Sequence, residues 1–211
     1  MTIQSDQCIF DRTFSQKNMC PRTSHQFEDI RKKKKHLILE AALVVFAKKG
    51  FHSASIANIA SEAGISKGLI YNYFKSKEDI LKVTLVRGFE HIFKHYRFDP
   101  ENFTSEQFGK LIELTFDLME DDLSYWKLYF SVLMQTDVME IIQEDLMNIL
   151  IPILDSFASC LAKMGFKNPQ DEARFFGALL DGLSLNYITD PENFPKEYCI
   201  KRLKSIYNLP V

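Results

Sequence analysis

The sequence predicts an all-α fold of about nine helices. Three observations carry this. Apolar residues recur at helical spacing along most of the chain, capping residues precede several of these stretches, and no segment shows the alternation of a strand. The 211 residues are 46% hydrophobic, enough for a packed core in one large domain or two small ones.

Residues 1–28 are polar, non-periodic and broken by Pro21, and read as a loose leader. Arg31 to Lys35 form a basic run, open to two readings: an arm that tracks DNA or a solvated helix start. The first helix then carries Ile38, Ala41, Ala42, Val45 and Phe46, and closes on Lys48, Lys49 and Gly50.

The segment from Ser55 to Phe74 is the most informative. Ile56, Ile59, Ala60 and Ala63 make a second helix that ends at Gly64, a residue that takes positive φ at little cost. Ile65 plugs the corner. Ser66 caps a third helix, because its hydroxyl can accept a free backbone N–H. Ile70 and Phe74 share one face of that helix, and Lys67, Gly68, Leu69, Tyr71, Asn72 and Tyr73 lie nearer the surface. An ordinary helical corner buried in a core would carry apolar residues there. A short helix showing lysine, tyrosine and asparagine beside a glycine suits a DNA groove, so the pair reads as a helix-turn-helix.

Ser76 caps a fourth helix, with Asp79 at its third position, running through Leu81, Leu85, Phe89 and Phe93 to about Tyr96. Phe98 to Phe103 is a connection. Thr104 and Gln107 cap a fifth helix carrying Phe108, Leu111, Ile112, Thr115, Phe116 and Met119. Asp121 and Asp122 favour the start of a sixth, with Tyr125, Trp126, Tyr129, Phe130 and Leu133. A seventh spans Asp137 to Met164; its interior Pro152 costs about 3 kcal/mol, so a kink or break is expected. Asn168, Pro169 and Asp171 open an eighth, and a last helix runs from near Pro195 to about Asn208.

Charge divides the chain. Residues 1–97 hold 17 Lys+Arg and 9 Asp+Glu, a net +8, whereas residues 98–211 carry a net −10; the whole sums to −2. Positive charge around the helix-turn-helix strengthens DNA binding by releasing counterions from the phosphates. The acidic half serves another purpose. Cys8, Cys20, Cys160 and Cys199 show no metal-ligand spacing, as expected of a reduced cytoplasmic protein. His91 and His95 share a helix face but lack a third ligand, so no metal is expected. No nucleophile elbow, phosphate-binding glycine loop or paired catalytic carboxylates stand out, so no enzyme and no cofactor are expected. No uninterrupted apolar run approaches membrane-spanning length, and no membrane partner is expected.

The pattern Ile38-Leu-Glu-Ala-Ala42, Phe46, Gly50-Phe51, Ser55-Ile56, Ile59-Ala60, Ala63 through Gly68, Tyr71, Phe74 through Glu78 and Leu81 resembles the tetracycline-repressor (TetR) family of bacterial regulators. Asp181-Gly-Leu183 is similar to a later pattern there, and Ala54 stands where threonine is frequent. The resemblance implies a helix-turn-helix DNA-binding domain over 29–75 and a helical effector-binding and dimerisation domain over 76–211, with the helix 76–96 linking them. It implies that the third helix docks in the major groove. Lys67 then reaches guanine, the Gly68 backbone approaches closely, and Leu69 meets a thymine methyl. Asn72 reads a base edge or a phosphate. Tyr71, Tyr73, Ser55, Ser66 and Lys77 are expected on the phosphate side of the same site.

Small residues among large ones in the eighth helix suit close helix–helix approach. The resemblance implies a four-helix homodimer interface, with Phe176, Gly177, Leu180, Leu183, Ser184, Tyr187, Leu203 and Ile206 as candidates. The aromatic supply of the second half suits an apolar effector pocket with a few polar tips, from Phe89, Phe116, Met119, Trp126, Tyr129, Phe130 and Asp181. The expected function is a transcriptional regulator, a repressor that binds a palindromic operator as a dimer and is released by a small apolar or aromatic molecule. Two other classes remain open: a DNA-binding structural protein without effector, and a helical enzyme using the aromatic cavity.

Overall fold

The computed structural model describes residues 24–94 and 98–210, and the described residues form nine α-helices with no strand. They are α1 (Ser24–Lys49), α2 (Ile56–Glu62), α3 (Lys67–Tyr71), α4 (Lys77–Phe93), α5 (Ser105–Asp121), α6 (Leu123–Leu133), α7 (Thr136–Lys163), α8 (Pro169–Thr189) and α9 (Lys196–Ile206). The all-α fold predicted from the sequence is therefore found. Contacts divide the chain into one unit over Met1–Lys34 and a second over Lys35–Val211 that contains α2 to α9.

Two boundaries differ from the sequence expectation. α1 begins at Ser24, inside the stretch read as a loose leader, so Arg31 to Lys35 lie within a helix rather than before one. The rest of the leader, with Cys8, Cys20 and Pro21, lies outside the described residues, as do His95 and Tyr96. α7 continues unbroken through Pro152. Pro152 and Asn148 are both exposed, so solvent can serve the Asn148 carbonyl left unbonded by the missing N–H.

Caps form largely where the sequence places them. Ser55 and Asn58 make a reciprocal capping box, as do Thr104 and Gln107. The Asp122 carboxylate accepts from the Tyr125 N–H at 2.9 Å. At α4, Ser76 Oγ accepts from the Asp79 N–H at 3.1 Å, and the Asp79 carboxylate accepts from the Lys75 N–H at 2.9 Å. Asn168 stands before α8 without a side-chain cap bond, and Pro169 fills the first helical position.

One apolar core joins the elements. Its helix-turn-helix part consists of Ile38, Ala42, Phe46, Ile59, Ile70 and Phe74. Its later part centres on Phe108, whose ring lies 4.9 Å from Phe176, 5.0 Å from Tyr207 and 5.3 Å from Phe157. Among the described residues, α7 alone is long and apolar enough to cross a membrane by length and composition, although Glu140, Glu144, Asp145 and Asp155 interrupt its apolar run. Here α7 packs against α4 and α8.

Candidate nucleic-acid interface and effector cavity

The turn between α2 and α3 forms as its residues dictate. Gly64 takes φ +63°, and the Ile65 N–H donates to the Ala60 carbonyl at 3.0 Å, which closes α2. Ser66 Oγ accepts from the Leu69 N–H at 3.3 Å and opens α3. Ile70 is fully buried and fixes the roll of α3. Lys67, Gly68, Tyr71 and Asn72 are therefore exposed together, while Leu69 and Tyr73 are half-buried beside them. Ser55 and Ser66 are exposed with their hydroxyls engaged in caps.

The ammonium of Lys77, expected on the phosphate side, is engaged within the protein. It donates to the carbonyls of Phe51 (2.8 Å), Ala54 (3.1 Å) and His52 (3.2 Å) and stands 4.3 Å from the centre of the Phe51 ring. All three N–H donors have protein acceptors. The lysine buckles the loop between α1 and α2 to the start of α4. Ala54 is buried in that loop.

The later helices line a cavity of about 420 Å³ that opens to solvent. Phe89, Met119, Tyr129, Phe130 and Asp181, five of the seven expected residues, line it. Phe116 does not: it is fully buried against Tyr187 and Phe194. Trp126 does not either. Its indole N–H donates to the Leu118 carbonyl at 2.7 Å, and it lines a separate polar cavity of about 390 Å³ with His36, Glu40, Arg87, Asp121, Asp122 and Tyr125. Tyr129 is a wall rather than a polar tip, because its hydroxyl donates to the Leu85 carbonyl at 2.8 Å. Burial pushes that hydroxyl's pKa well up, so it stays protonated. Asp181 stands at the edge of the cavity. It is accessible to solvent by area, yet crowding by neighbouring atoms desolvates its carboxyl and raises its pKa.

Four contacts that sequence reasoning missed tie the cavity helices to one another and, at Gln135 and Asp137, to the helix-turn-helix. Gly88 in α4 lets the Tyr129 ring lie against the helix backbone: a Cβ at 88 would stand 2.1 Å from the ring. Gln135, at the corner between α6 and α7, accepts from the Phe51 N–H at 2.8 Å and donates to the Phe46 carbonyl at 3.2 Å. His52 and Asp137 lie 2.6 Å apart across the same corner. Lys82 of α4 also pairs with Asp145 of α7 at 2.9 Å. No local pattern marks Gln135, since its partners are 84 and 89 residues away. The mid-helix glycine at 88 was a usable signal.

The expected dimer residues divide. Phe176, Leu180, Ser184, Tyr187 and Leu203 face the chain's own interior, because the inward side of α8 and α9 holds their side chains. Gly177 and Leu183 are half-buried, and Ile206 is exposed. The outer side of α8 shows Phe175, Ala178, Gly182 and Leu185 instead.

Residues 38–84 match the sequence model of the bacterial regulatory proteins of the tetR family. Over 44 residues the chain is 50% identical to the fatty acid metabolism regulator protein of Bacillus subtilis, covering 21% of this chain and 23% of that protein. Over 171 residues it is 26% identical to the HTH-type transcriptional regulator BetI of Yersinia pestis, covering 76% and 83% of the two chains. With the crystal structure of the transcriptional regulator FadR from Bacillus subtilis in complex with stearoyl-CoA it shares a TM-score of 0.64, at 21% identity over 81% of this chain and 96% of that one, a likeness of fold. Four of the curated relatives it matches are spanned over only 17–23% of their own length. Residues 38–84 carry the DNA-binding motif of the bacterial regulatory proteins of the tetR family, a relative aligns over three quarters of the chain, and the all-helical architecture is shared over most of it: the chain is similar to the tetracycline-repressor family along most of its length.

Proposed function

We propose that the protein is a ligand-responsive repressor of the cytoplasm, which binds a palindromic operator as a homodimer and is released by an apolar effector. Residues 29–75 supply the DNA-binding part and residues 76–211 the effector-binding and dimerisation part. The observation that carries this is a largely apolar cavity of about 420 Å³ walled by α4, the helix whose first turn is buckled to the helix-turn-helix by Lys77. That size suits a small molecule. The FadR structure with stearoyl-CoA supports a long apolar chain as the effector class. Each methylene buried there contributes about 0.8 kcal/mol.

Release follows from the joints. A ligand seated against Tyr129 displaces a ring that already touches the α4 backbone at Gly88. Leu133 and Met134, next to Gln135, line the same cavity, so the Gln135 corner moves with its wall. The Gln135 joint ends in the helix-turn-helix part, and the Gly88 joint acts on α4, whose first turn Lys77 buckles to that part. A ligand that prefers the displaced arrangement weakens operator binding by its differential affinity, typically 5- to 150-fold. Exposed Phe175 and Leu185 on α8 and Tyr198 and Ile206 on α9 offer an apolar dimer surface, and Gly182 leaves room for close approach.

Selection of bound oligonucleotides followed by fluorescence anisotropy tests this reading. A two-fold symmetric site, bound by a dimer and weakened by an apolar compound, is expected. Sites without symmetry sink the dimeric operator, and indifference to every apolar compound leaves an effector-independent DNA-binding protein.

A further inference from the structure

The cavity is polar at one place only. Of its described lining residues, Asp181 alone is charged at neutral pH. Thr115 and Tyr129 spend their hydroxyl protons on the carbonyls of Leu111 and Leu85. Ser184 is 4% exposed and lies one helical turn from Asp181 on α8. Neither Asp181 nor Ser184 has a hydrogen-bond or ion-pair partner among the described residues. A hydroxyl and a carboxylate without protein partners, one helical turn apart and both lining one otherwise apolar cavity, can each take a hydrogen bond from a ligand seated there.

We propose that Asp181 and Ser184 are the recognition end of the cavity, and that its ligand is an apolar chain or ring ended by a hydrogen-bond donor, a primary amine above all, rather than by a carboxylate. This rests on the effector reading above and names the ligand's polar end. An ammonium forms a charge-assisted bond to Asp181, stronger in apolar surroundings than in water. A neutral hydroxyl or amide N–H donates to the same carboxylate more weakly. A carboxylate would meet the like charge of Asp181.

Three ligands of one chain length separate the terms: decylamine, decan-1-ol and decanoate, each titrated calorimetrically into the full-length protein below its micelle concentration. The expected order is amine, then alcohol, then carboxylate, with the amine about ten- to a hundredfold tighter than decanoate. Asp181→Asn should cost the amine about tenfold or more and leave the alcohol within about threefold. Ser184→Ala should weaken both by about threefold. Asp181 is solvent-accessible, so its Asn variant keeps the fold, which a melting curve checks. Decanoate binding as tightly as decylamine, or an order unchanged by Asp181→Asn, overturns the head-group assignment while the cavity keeps its role. Failure of all three to bind overturns the effector reading as well.

Discussion

The DNA-facing region and the cavity region are built by different means. In the helix-turn-helix, the decisive contacts span three to five residues: Ser55 to Asn58, Ser66 to Leu69, Ala60 to Ile65. In the cavity region they span tens of residues, such as Tyr129 to Leu85, Tyr187 to Glu120 and Lys204 to Glu113. The first region sets its surface by local rules of capping and turning. The second sets its interior by long-range packing, in which a change of even one methylene is felt.

If the two regions are energetically separable, Phe108→Ala should lower stability most and leave base preference alone. Phe108 is fully buried against Phe157, Phe176 and Tyr207. A loss of about 3–5 kcal/mol is expected, about 10 °C in melting temperature. A changed operator preference in the folded variant would break the separation.

Lys77→Ala and Lys67→Ala sharpen it from the other side. Removing the Lys77 ammonium leaves three loop carbonyls without their donor, so a loss of about 1–3 kcal/mol is expected with the salt dependence of DNA binding unchanged. Lys67 is exposed and expected to read guanine, so Lys67→Ala should keep the melting temperature and relax base preference at one operator position, with the salt slope as a control. Melting curves, selection of bound oligonucleotides and a salt titration of both variants decide it; a flattened slope for Lys77→Ala would return that residue to the phosphate surface.

Gln135→Ala tests the joint itself. It should lower stability by about 1 kcal/mol. Ligand-free operator affinity should stay within about threefold, while the weakening caused by ligand shrinks. Equal ligand responses in variant and wild type would remove Gln135 from the coupling.

The smallest effect is expected at Glu120. Hydrogen bonds from Lys196 and then Tyr187 favour its anion and hold its pKa below the ordinary value. A depressed carboxyl stabilises the fold above its unfolded pKa, about 4.3, and that contribution fades as pH falls through the folded value. Glu120→Gln should thus be less stable at pH 7 by under about 1 kcal/mol, because the side chain is 43% exposed, with the gap closing below about pH 4. Paired melting curves from pH 3 to 7 measure this.

Legibility in the sequence follows the same division. Ser66, Gly64 and Ile70 fix α3 through neighbours, so the exposed set of Lys67, Gly68, Tyr71 and Asn72 could be read directly from spacing. The aromatic residues announced a packed, pocket-forming half. Spacing alone did not show that Phe116 and Trp126 turn away from the cavity, nor that Lys77 is spent on carbonyls 23 to 26 residues earlier. Pro152 misled because the rule against interior prolines assumes a carbonyl that nothing else can serve, and this one faces outward.

The bare backbone at Gly88 has one more consequence. With a ring resting on the main chain, no rotamer change in between can absorb a displacement. The contact works as a stiff crank, with little play. Retuning this sensor to a bulkier compound is therefore better attempted at the compliant methionine wall, Met134 and Met139, than at the crank.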